Sequence, residues 1–179
     1  MFILFGAFLV RSGVGDYILA VAKAAAGKII GGPGFIAVIG SGLMGSVSGS
    51  SVANTVSTGV ISIPLMQKAG FPPRFAAGVE AAASTGGQLM PPVMGAGAFI
   101  MASYTQIPYV DIILVSLLPA LIYFLSVAFF VRIEAKRSGV QKVSTDGESL
   151  LSVLLSGWHN LIPLAVLVTL LVQGFTPTY

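Results

Sequence analysis

Gly45-Ser-Val-Ser-Gly-Ser-Ser-Val-Ala-Asn-Thr-Val-Ser-Thr58 is a run of small and hydroxyl-bearing residues inside an otherwise apolar sequence. Lipid offers no hydrogen-bonding partner to a backbone, so a break at membrane depth persists only where protein buries it or where it lines a wet cavity. Membrane transporters hold their substrates and ions at breaks of this kind. The stretch therefore predicts a transport function.

The composition is that of a membrane protein. Of the 179 residues, 55% are hydrophobic and 8% are charged, and the mean hydropathy is +0.95, whereas about a quarter of a soluble domain is charged. The chain has no cysteine, which excludes disulfides and thiolate chemistry. The net charge of +3 comes from basic residues between apolar segments rather than along a polar face. We therefore expect a lipid bilayer as partner and no nucleic acid.

The basic residues also predict the topology. The nine lysines and arginines form clusters at Arg11–Lys28, Lys68–Arg74 and Arg132–Lys142, and short loops rich in lysine and arginine stay on the cytoplasmic side. Counting back from the C-terminus, we expect single crossings at 150–173, 109–137 and 72–104.

The segment 33–67 must then begin and end on the same side of the membrane. Two crossings would give each arm roughly 16 residues, about 24 Å of helix, against a hydrocarbon core of about 30 Å. A re-entrant hairpin with arms near 33–47 and 52–67 and its tip at Ser48–Ser51 is favoured over two short spans.

The remaining segments are assigned by polarity. Residues 1–13 are interpreted as the end of a truncated transmembrane helix, so the chain is expected to belong to a longer protein. Residues 14–32 predict an interfacial helix and turn, with Lys23 and Lys28 reaching lipid headgroups. Residues 138–149 predict a solvated cytoplasmic loop.

A second break lies at Ser84–Gly97, inside the 72–104 span. Proline has no N–H and clashes with the carbonyl four residues earlier, so Pro91 and Pro92 should release the carbonyls of Gly87 and Gln88, with Gly86 and Gly87 opening the turn. Freed carbonyls suit a sodium ion. The alternative is a proline kink repaired by a neighbouring serine or threonine.

The hairpin tip offers complementary groups. Its neutral oxygens suit a cation, and free N–H groups near Ser51–Asn54, at the start of the second arm, favour a carboxylate. The alternative is a tight crossing of small residues without ligands. Two breaks at similar depth favour one shared ion site.

Three stretches resemble the large membrane subunit of TRAP transporters: Gly45 to Asn54, Ile63-Pro-Leu-Met-Gln-Lys-Ala-Gly-Phe-Pro-Pro-Arg-Phe-Ala-Ala-Gly-Val79 and Gly86-Gly-Gln-Leu-Met-Pro-Pro-Val-Met-Gly95. The sequence Gln88-Leu-Met-Pro-Pro-Val-Met94, together with Trp158-His159, is most similar to that of the fused-permease subtype. The resemblance implies an all-α membrane protein with transmembrane helices, a re-entrant helical hairpin and a broken helix, forming one inverted-repeat half of an elevator-type transporter.

The resemblance also implies a function. It implies sodium-driven import of an organic anion, a carboxylate, through a multi-pass protein of a bacterial or archaeal cytoplasmic (inner) membrane. The implied partners are a periplasmic substrate-binding protein and a small membrane subunit or its fused equivalent. The protein is not expected to be an enzyme, and Na+ is the coupling ion, with no cofactor or other metal.

Carried over by residue, the resemblance implies two groups of contacts. The sodium-binding residues would be Ser48, Gly49, Ser50, Asn54, Gly86, Gly87 and Gln88. The substrate-binding residues would be Ser50, Ser51, Pro91, Pro92 and Val93, although many relatives have serine in place of Val93. Two rival functions stay open: a sodium-coupled carboxylate carrier that works without a binding protein, and a membrane scaffold or pore whose breaks only ease packing.

Three other residues carry groups that could do chemistry: Glu80, His159 and Ser48. Glu80 could bind a proton or cation, but Arg74 and the cytoplasmic edge favour an interface role through snorkelling or a local salt bridge. His159 is the only histidine, which excludes a multi-histidine metal site and favours a structural role. Ser48 lacks the Gly-x-Ser-x-Gly turn that a serine hydrolase of that type requires, and no P-loop is present.

Overall fold

The computed structural model describes residues 12–26, 29–140 and 150–173, which contain helices and no strand. The helices are α1 (Val14–Ala26), α2 (Gly32–Ser48), α3 (Ser51–Lys68), α4 (Pro73–Gly87), α5 (Ala96–Thr105), α6 (Tyr109–Arg137), α7 (Leu150–Ser156) and α8 (Ile162–Val172), with a 3₁₀ turn at Trp158–Leu161. The truncated helix predicted at 1–13 and the loop predicted at 138–149 lie largely outside the described residues.

The break between α2 and α3 needs only two residues. Gly49 has φ +64° and its N–H donates to the Gly45 carbonyl at 2.9 Å, the left-handed cap that commonly ends a helix. Ser50 is extended, and its hydroxyl oxygen accepts from the Ala53 N–H at 3.3 Å, as an N-cap does. Local cap chemistry therefore ends one helix and starts the next within the predicted tip.

Helices α2, α3 and α4 pack against one another, and α1 covers another side of α2. Glycines on α2 allow the closest of these approaches. A Cβ on Gly45 would lie 2.7 Å from the Cα of Gly87, closer than real packing allows. The small-residue spacing seen in the sequence therefore serves helix contact as well as the turn.

α6 is, within the described ranges, the one helix long and apolar enough to cross a membrane, with a mean hydropathy of 2.5. It packs on α2 and α4, where Phe124 lies against Gly42 and Tyr123 against Gly86. The Tyr123 hydroxyl donates to the Ala82 carbonyl at 3.0 Å. α6 thereby packs against and stabilises the end of α4, just before the second break.

Two predicted segments differ in detail. The predicted 72–104 span is divided into α4 and α5, with the break at 88–95. The segment 150–173, predicted as one crossing, consists of α7 and α8 with a 3₁₀ turn between them, and its crossing of the membrane stays a prediction. Pro163 lacks the N–H that would bond the His159 carbonyl, and that carbonyl instead accepts from the Ile162 N–H.

α1 is amphipathic, and its apolar face meets protein. Val14, Tyr17, Ile18, Leu19, Ala22 and Ala26 are buried. Leu19 and Ala22 lie against Gly40 of α2, and Lys23 is exposed. The segment 14–32, predicted as an interfacial helix and turn, thus contains α1, which packs on α2; its position relative to lipid headgroups stays a prediction.

Candidate functional site

The structure brings the two breaks together. The Val93 N–H donates to the Ser46 carbonyl at 3.2 Å, across from the hairpin tip. A Cβ on Gly49 would lie 2.6 Å from the Met94 carbonyl oxygen, so only glycine fits at this contact. The expectation that the tip of the α2–α3 hairpin meets the loop after α4 is confirmed.

Two of the predicted sodium-binding residues carry buried oxygens that have no hydrogen-bond partner among the described residues. They are the Ser48 hydroxyl oxygen and the Asn54 Oδ1. The Asn54 side chain is 0% exposed, and its amide nitrogen donates to the Ser41 carbonyl at 2.8 Å. Buried polar atoms are nearly always hydrogen-bonded, to protein or to ordered water, so these two oxygens at the tip are available to a bound ion or water.

The predicted role of the α4 carbonyls requires a correction. Gly86 and Gly87 are the last residues of α4 rather than part of an unwound stretch. The prediction that prolines leave the Gly87 and Gln88 carbonyls free is also wrong. Gly87 accepts from the Met90 N–H at 3.2 Å and Gln88 from the Gly95 N–H at 2.8 Å, because the chain turns tightly enough for later N–H groups to reach back. Each carbonyl oxygen keeps one lone pair for a further contact.

Gly45 leaves room for the amide of Asn54 and for the backbone of Gly87. A Cβ on Gly45 would meet the Asn54 Nδ2 at 3.1 Å as well as Gly87. Asn54, the tip of α2 and the end of α4 therefore converge around one pair of glycines. The structure brings these predicted residues into one neighbourhood.

The predicted substrate residues fall into different environments. Ser50 and Ser51 are half-buried at the start of α3. Ser50 caps Ala53, which leaves the N–H groups of Ser51 and Val52 without acceptors inside the helix. Val93 is 1% exposed, its N–H is bonded to Ser46 and its carbonyl accepts from the Tyr109 hydroxyl at 2.6 Å. Val93 is therefore a buried residue that ties the loop after α4 to Ser46 on α2 and to Tyr109 on α6.

Pro91 and Pro92 line a largely apolar cavity of about 170 Å³. Its other lining residues come from α1, α2 and the 150–160 region: Val14, Tyr17, Ile18, Val21, Leu43, Ser46, Val47, Leu154 and Asn160. Ser50 and Ser51 are not among them. The α1 contribution was not predicted, although the spacing of Val14, Tyr17, Ile18 and Val21 is that of one apolar helix face and could have indicated it.

Glu80 lies at the centre of a buried polar cluster that joins three helices. Its side chain is 0% exposed. The hydroxyls of Ser41 and Ser84 donate to Oε1 at 2.6 and 3.1 Å. Thr58 also donates to Oε1, and Ser62 donates to Oε2. The carboxylate thus connects α2, α3 and α4.

This burial overturns the interface role predicted for Glu80. Arg74 is exposed, and within residues 12–26, 29–140 and 150–173 no basic side chain pairs with Glu80. A separation of six residues places the two side chains roughly 120° apart around the helix. The polar spacing of Asn54, Thr58 and Ser62 along α3 is the signal that could have predicted this cluster.

The remaining candidates are His159 and the side chains that could bind a metal. His159 is exposed, and its Nε2 lies 3.4 Å from the Asn160 side-chain nitrogen. In the part of the chain that the structure describes, no group of three or more His, Cys, Asp or Glu residues could hold a metal ion.

The chain matches, over residues 1–179, the family described as the DctM component of the tripartite ATP-independent periplasmic transporter. The C4-dicarboxylate TRAP transporter large permease protein DctM of Pseudomonas aeruginosa is 32% identical over 99% of this chain and 42% of its own length. The corresponding Vibrio cholerae protein is 31% identical over 99% of this chain and 39% of its own. The 2,3-diketo-L-gulonate TRAP transporter large permease protein YiaN of Escherichia coli is 31% identical over 51% of this chain and 21% of its own.

These relatives are integral membrane permeases rather than enzymes, and the chain spans about two-fifths of the length of the first of them. The match covers both breaks and the helices that hold them together. The chain therefore belongs to the TRAP transporter large permease family, the DctM component of the tripartite ATP-independent periplasmic transporters.

Proposed function

We propose that this chain is one inverted-repeat half of a sodium-driven, elevator-type permease that imports a carboxylate. In this proposal α2 and α3 form a re-entrant hairpin whose tip, with the loop after α4, makes a sodium site. The observation that carries the proposal is the pair of orphaned buried oxygens, Ser48 Oγ and Asn54 Oδ1, beside the contact between the two breaks.

The residues present fit a sodium ion. Neutral hydroxyl, amide and carbonyl oxygens at broken helices are the groups that coordinate sodium in secondary transporters. Ser48 and Asn54 would supply side-chain oxygens, and the end of α4 would supply carbonyl lone pairs from Gly86, Gly87 or Gln88. Gly49 and Ser50 would shape the tip. A bound sodium ion would satisfy groups that otherwise lack a partner.

The substrate would bind next to this site as an anion. The N–H groups of Ser51 and Val52 open α3, and the N-terminus of a helix favours negative charge. Pro91 and Pro92 would form an apolar wall. The relatives named for C4-dicarboxylate and for 2,3-diketo-L-gulonate support a small organic acid as the substrate class.

The whole permease would work in the bacterial or archaeal inner membrane as a multi-pass protein. A periplasmic binding protein would deliver the substrate, and a small membrane subunit, separate or fused, would complete the complex. Membership in the tripartite family supports both partners.

The test is uptake by the full-length permease, with its small subunit, reconstituted in liposomes. A radiolabelled C4-dicarboxylate is offered first, followed by a panel of organic acids. Each is measured with an inward sodium gradient or a matched potassium gradient, and with or without the binding protein.

The proposal predicts accumulation of at least one acid only when both sodium and the binding protein are present. Accumulation with sodium alone would identify a carrier that works without a binding protein. Equal entry of the acids under both gradients, or no entry at all, would contradict sodium-driven import.

A further inference from the structure

The sodium site proposed at the hairpin tip has no negatively charged ligand. Its candidate ligands are neutral oxygens, so a bound sodium ion would retain its positive charge. An uncompensated charge inside a membrane protein is costly. A buried negative group nearby would offset this cost.

Glu80 has the position and the surroundings for that role. It is fully buried, and it contacts four hydroxyls and no basic group in the described ranges. Functional carboxylates in membrane interiors usually pair with a cation or line an ion path. None of the hydroxyls around Glu80 supplies a positive charge.

Two short routes connect Glu80 to Asn54. The Ser41 hydroxyl donates to Glu80, and the Ser41 carbonyl accepts from the Asn54 amide at 2.8 Å. The Thr58 hydroxyl contacts both Glu80 and the Asn54 backbone carbonyl oxygen, the latter at 2.7 Å. The carboxylate therefore bonds Ser41, which holds the Asn54 side-chain amide, and Thr58, which contacts the Asn54 backbone.

Among the residues that the structure describes, no other charged residue pairs with Glu80. α2 carries none, α3 carries only Lys68 at its end, and Arg74 on α4 is exposed. The charged residues of α6, the other helix packed on α4, lie near its two ends and are exposed or half-buried: Asp111, Arg132, Glu134, Lys136 and Arg137.

We propose that Glu80 is a positioning and charge-balancing residue for the cation site at the hairpin tip. Its carboxylate offsets the charge of a sodium ion bound beside Asn54, and through Ser41 it holds the Asn54 amide with its oxygen free. This inference rests on the proposed sodium site and adds a residue outside it.

The test is the sodium dependence of uptake in the full-length permease carrying Glu80→Gln. Glutamine keeps the shape and removes the charge. For a separation of roughly 10 Å and an effective dielectric constant of about 20, Coulomb's law gives a rise in the half-saturating sodium concentration on the order of tenfold. The substrate KM at saturating sodium should stay within about twofold of the wild-type value, because a charge effect on sodium binding is overcome at saturation.

Glu134→Gln is the matched control. Glu134 is half-buried near the end of α6 and accepts from the Ser138 hydroxyl at 2.9 Å, away from the cluster. Its half-saturating sodium concentration should equal that of the wild type. A purely structural role for Glu80 would instead lower the amount of active protein and leave the sodium dependence unchanged.

The outcomes separate the two proposals. Sodium-dependent uptake in the wild type with an unchanged half-saturating sodium concentration in Glu80→Gln overturns this inference alone. Absence of sodium dependence in the wild type overturns the proposed function and this inference together. If the Glu80→Gln protein does not accumulate in the membrane, Ser41→Ala decides. It keeps the Glu80 charge but removes the hydroxyl that links Glu80 to the residue holding the Asn54 amide, and a sodium dependence equal to wild type would overturn the positioning role and with it the inference.

Discussion

Replacement of Gly87 by alanine tests the closest helix contact at the candidate site. The new Cβ would lie 2.6 Å from the Gly45 Cα and 3.2 Å from the Ser41 carbonyl oxygen. Both neighbours are backbone atoms and cannot rotate away. Overpacking of this kind costs about 1–3 kcal/mol, and the higher helix propensity of alanine returns at most about 1 kcal/mol. We expect a net loss of about 1–2 kcal/mol in the free energy of unfolding.

Gly78→Ala is the matched control in the same helix. A Cβ at Gly78 meets nothing within 4 Å, so this change should stabilise the protein by up to about 1 kcal/mol. The assay is thermal unfolding of the purified full-length permease, read by intrinsic fluorescence, together with sodium-dependent uptake. The midpoint should fall for Gly87→Ala and hold or rise for Gly78→Ala. Equal midpoints for the two variants would refute the close contact between α2 and α4.

Three further changes separate packing, strain and unsatisfied polarity. Ser48→Ala removes an orphaned hydroxyl, so the free energy of unfolding without sodium should stay equal or rise by about 1 kcal/mol. The half-saturating sodium concentration for uptake should increase. A loss of stability in the absence of sodium would contradict this prediction. Gly49→Ala should lower the unfolding midpoint more than Gly139→Ala. Both glycines have φ near +64°, but of the two only a Cβ at Gly49 would meet another atom, the Met94 carbonyl oxygen. Similar midpoints would mean that backbone strain alone lowers the stability. Tyr109→Phe removes the hydroxyl bonded to the loop after α4 and should cost about 1 kcal/mol in thermal unfolding, and an unchanged midpoint would show that this bond adds no stability.

Local chemistry explains what could be predicted from the sequence. The break at Gly49–Ser50 follows from a left-handed glycine and a serine cap, which are properties of adjacent residues. The meeting of the two breaks followed from their similar predicted depth. These arguments need no knowledge of which helix faces which.

The rest depended on tertiary contacts. Gly86 and Gly87 looked like helix-loosening residues, but they end α4 and make room for Tyr123 and Gly45. Glu80 looked like a neighbour of Arg74, yet the helix directs it toward hydroxyls on α2 and α3. The 3₁₀ turn at Trp158–Leu161 was not predicted, because the crossing at 150–173 was assigned from its overall apolar character.

The most direct test of the central claim is sodium-specific stabilisation of the purified full-length permease. Thermal unfolding is followed while NaCl replaces KCl at constant ionic strength, in the wild type and in Asn54→Ala. A ligand that binds only the folded state raises the midpoint as its concentration passes the dissociation constant. We predict that sodium raises the wild-type midpoint and that Asn54→Ala requires at least about tenfold more sodium for the same rise. Identical sodium curves for the two proteins, or no rise in the wild type, would contradict a cation site at the hairpin tip.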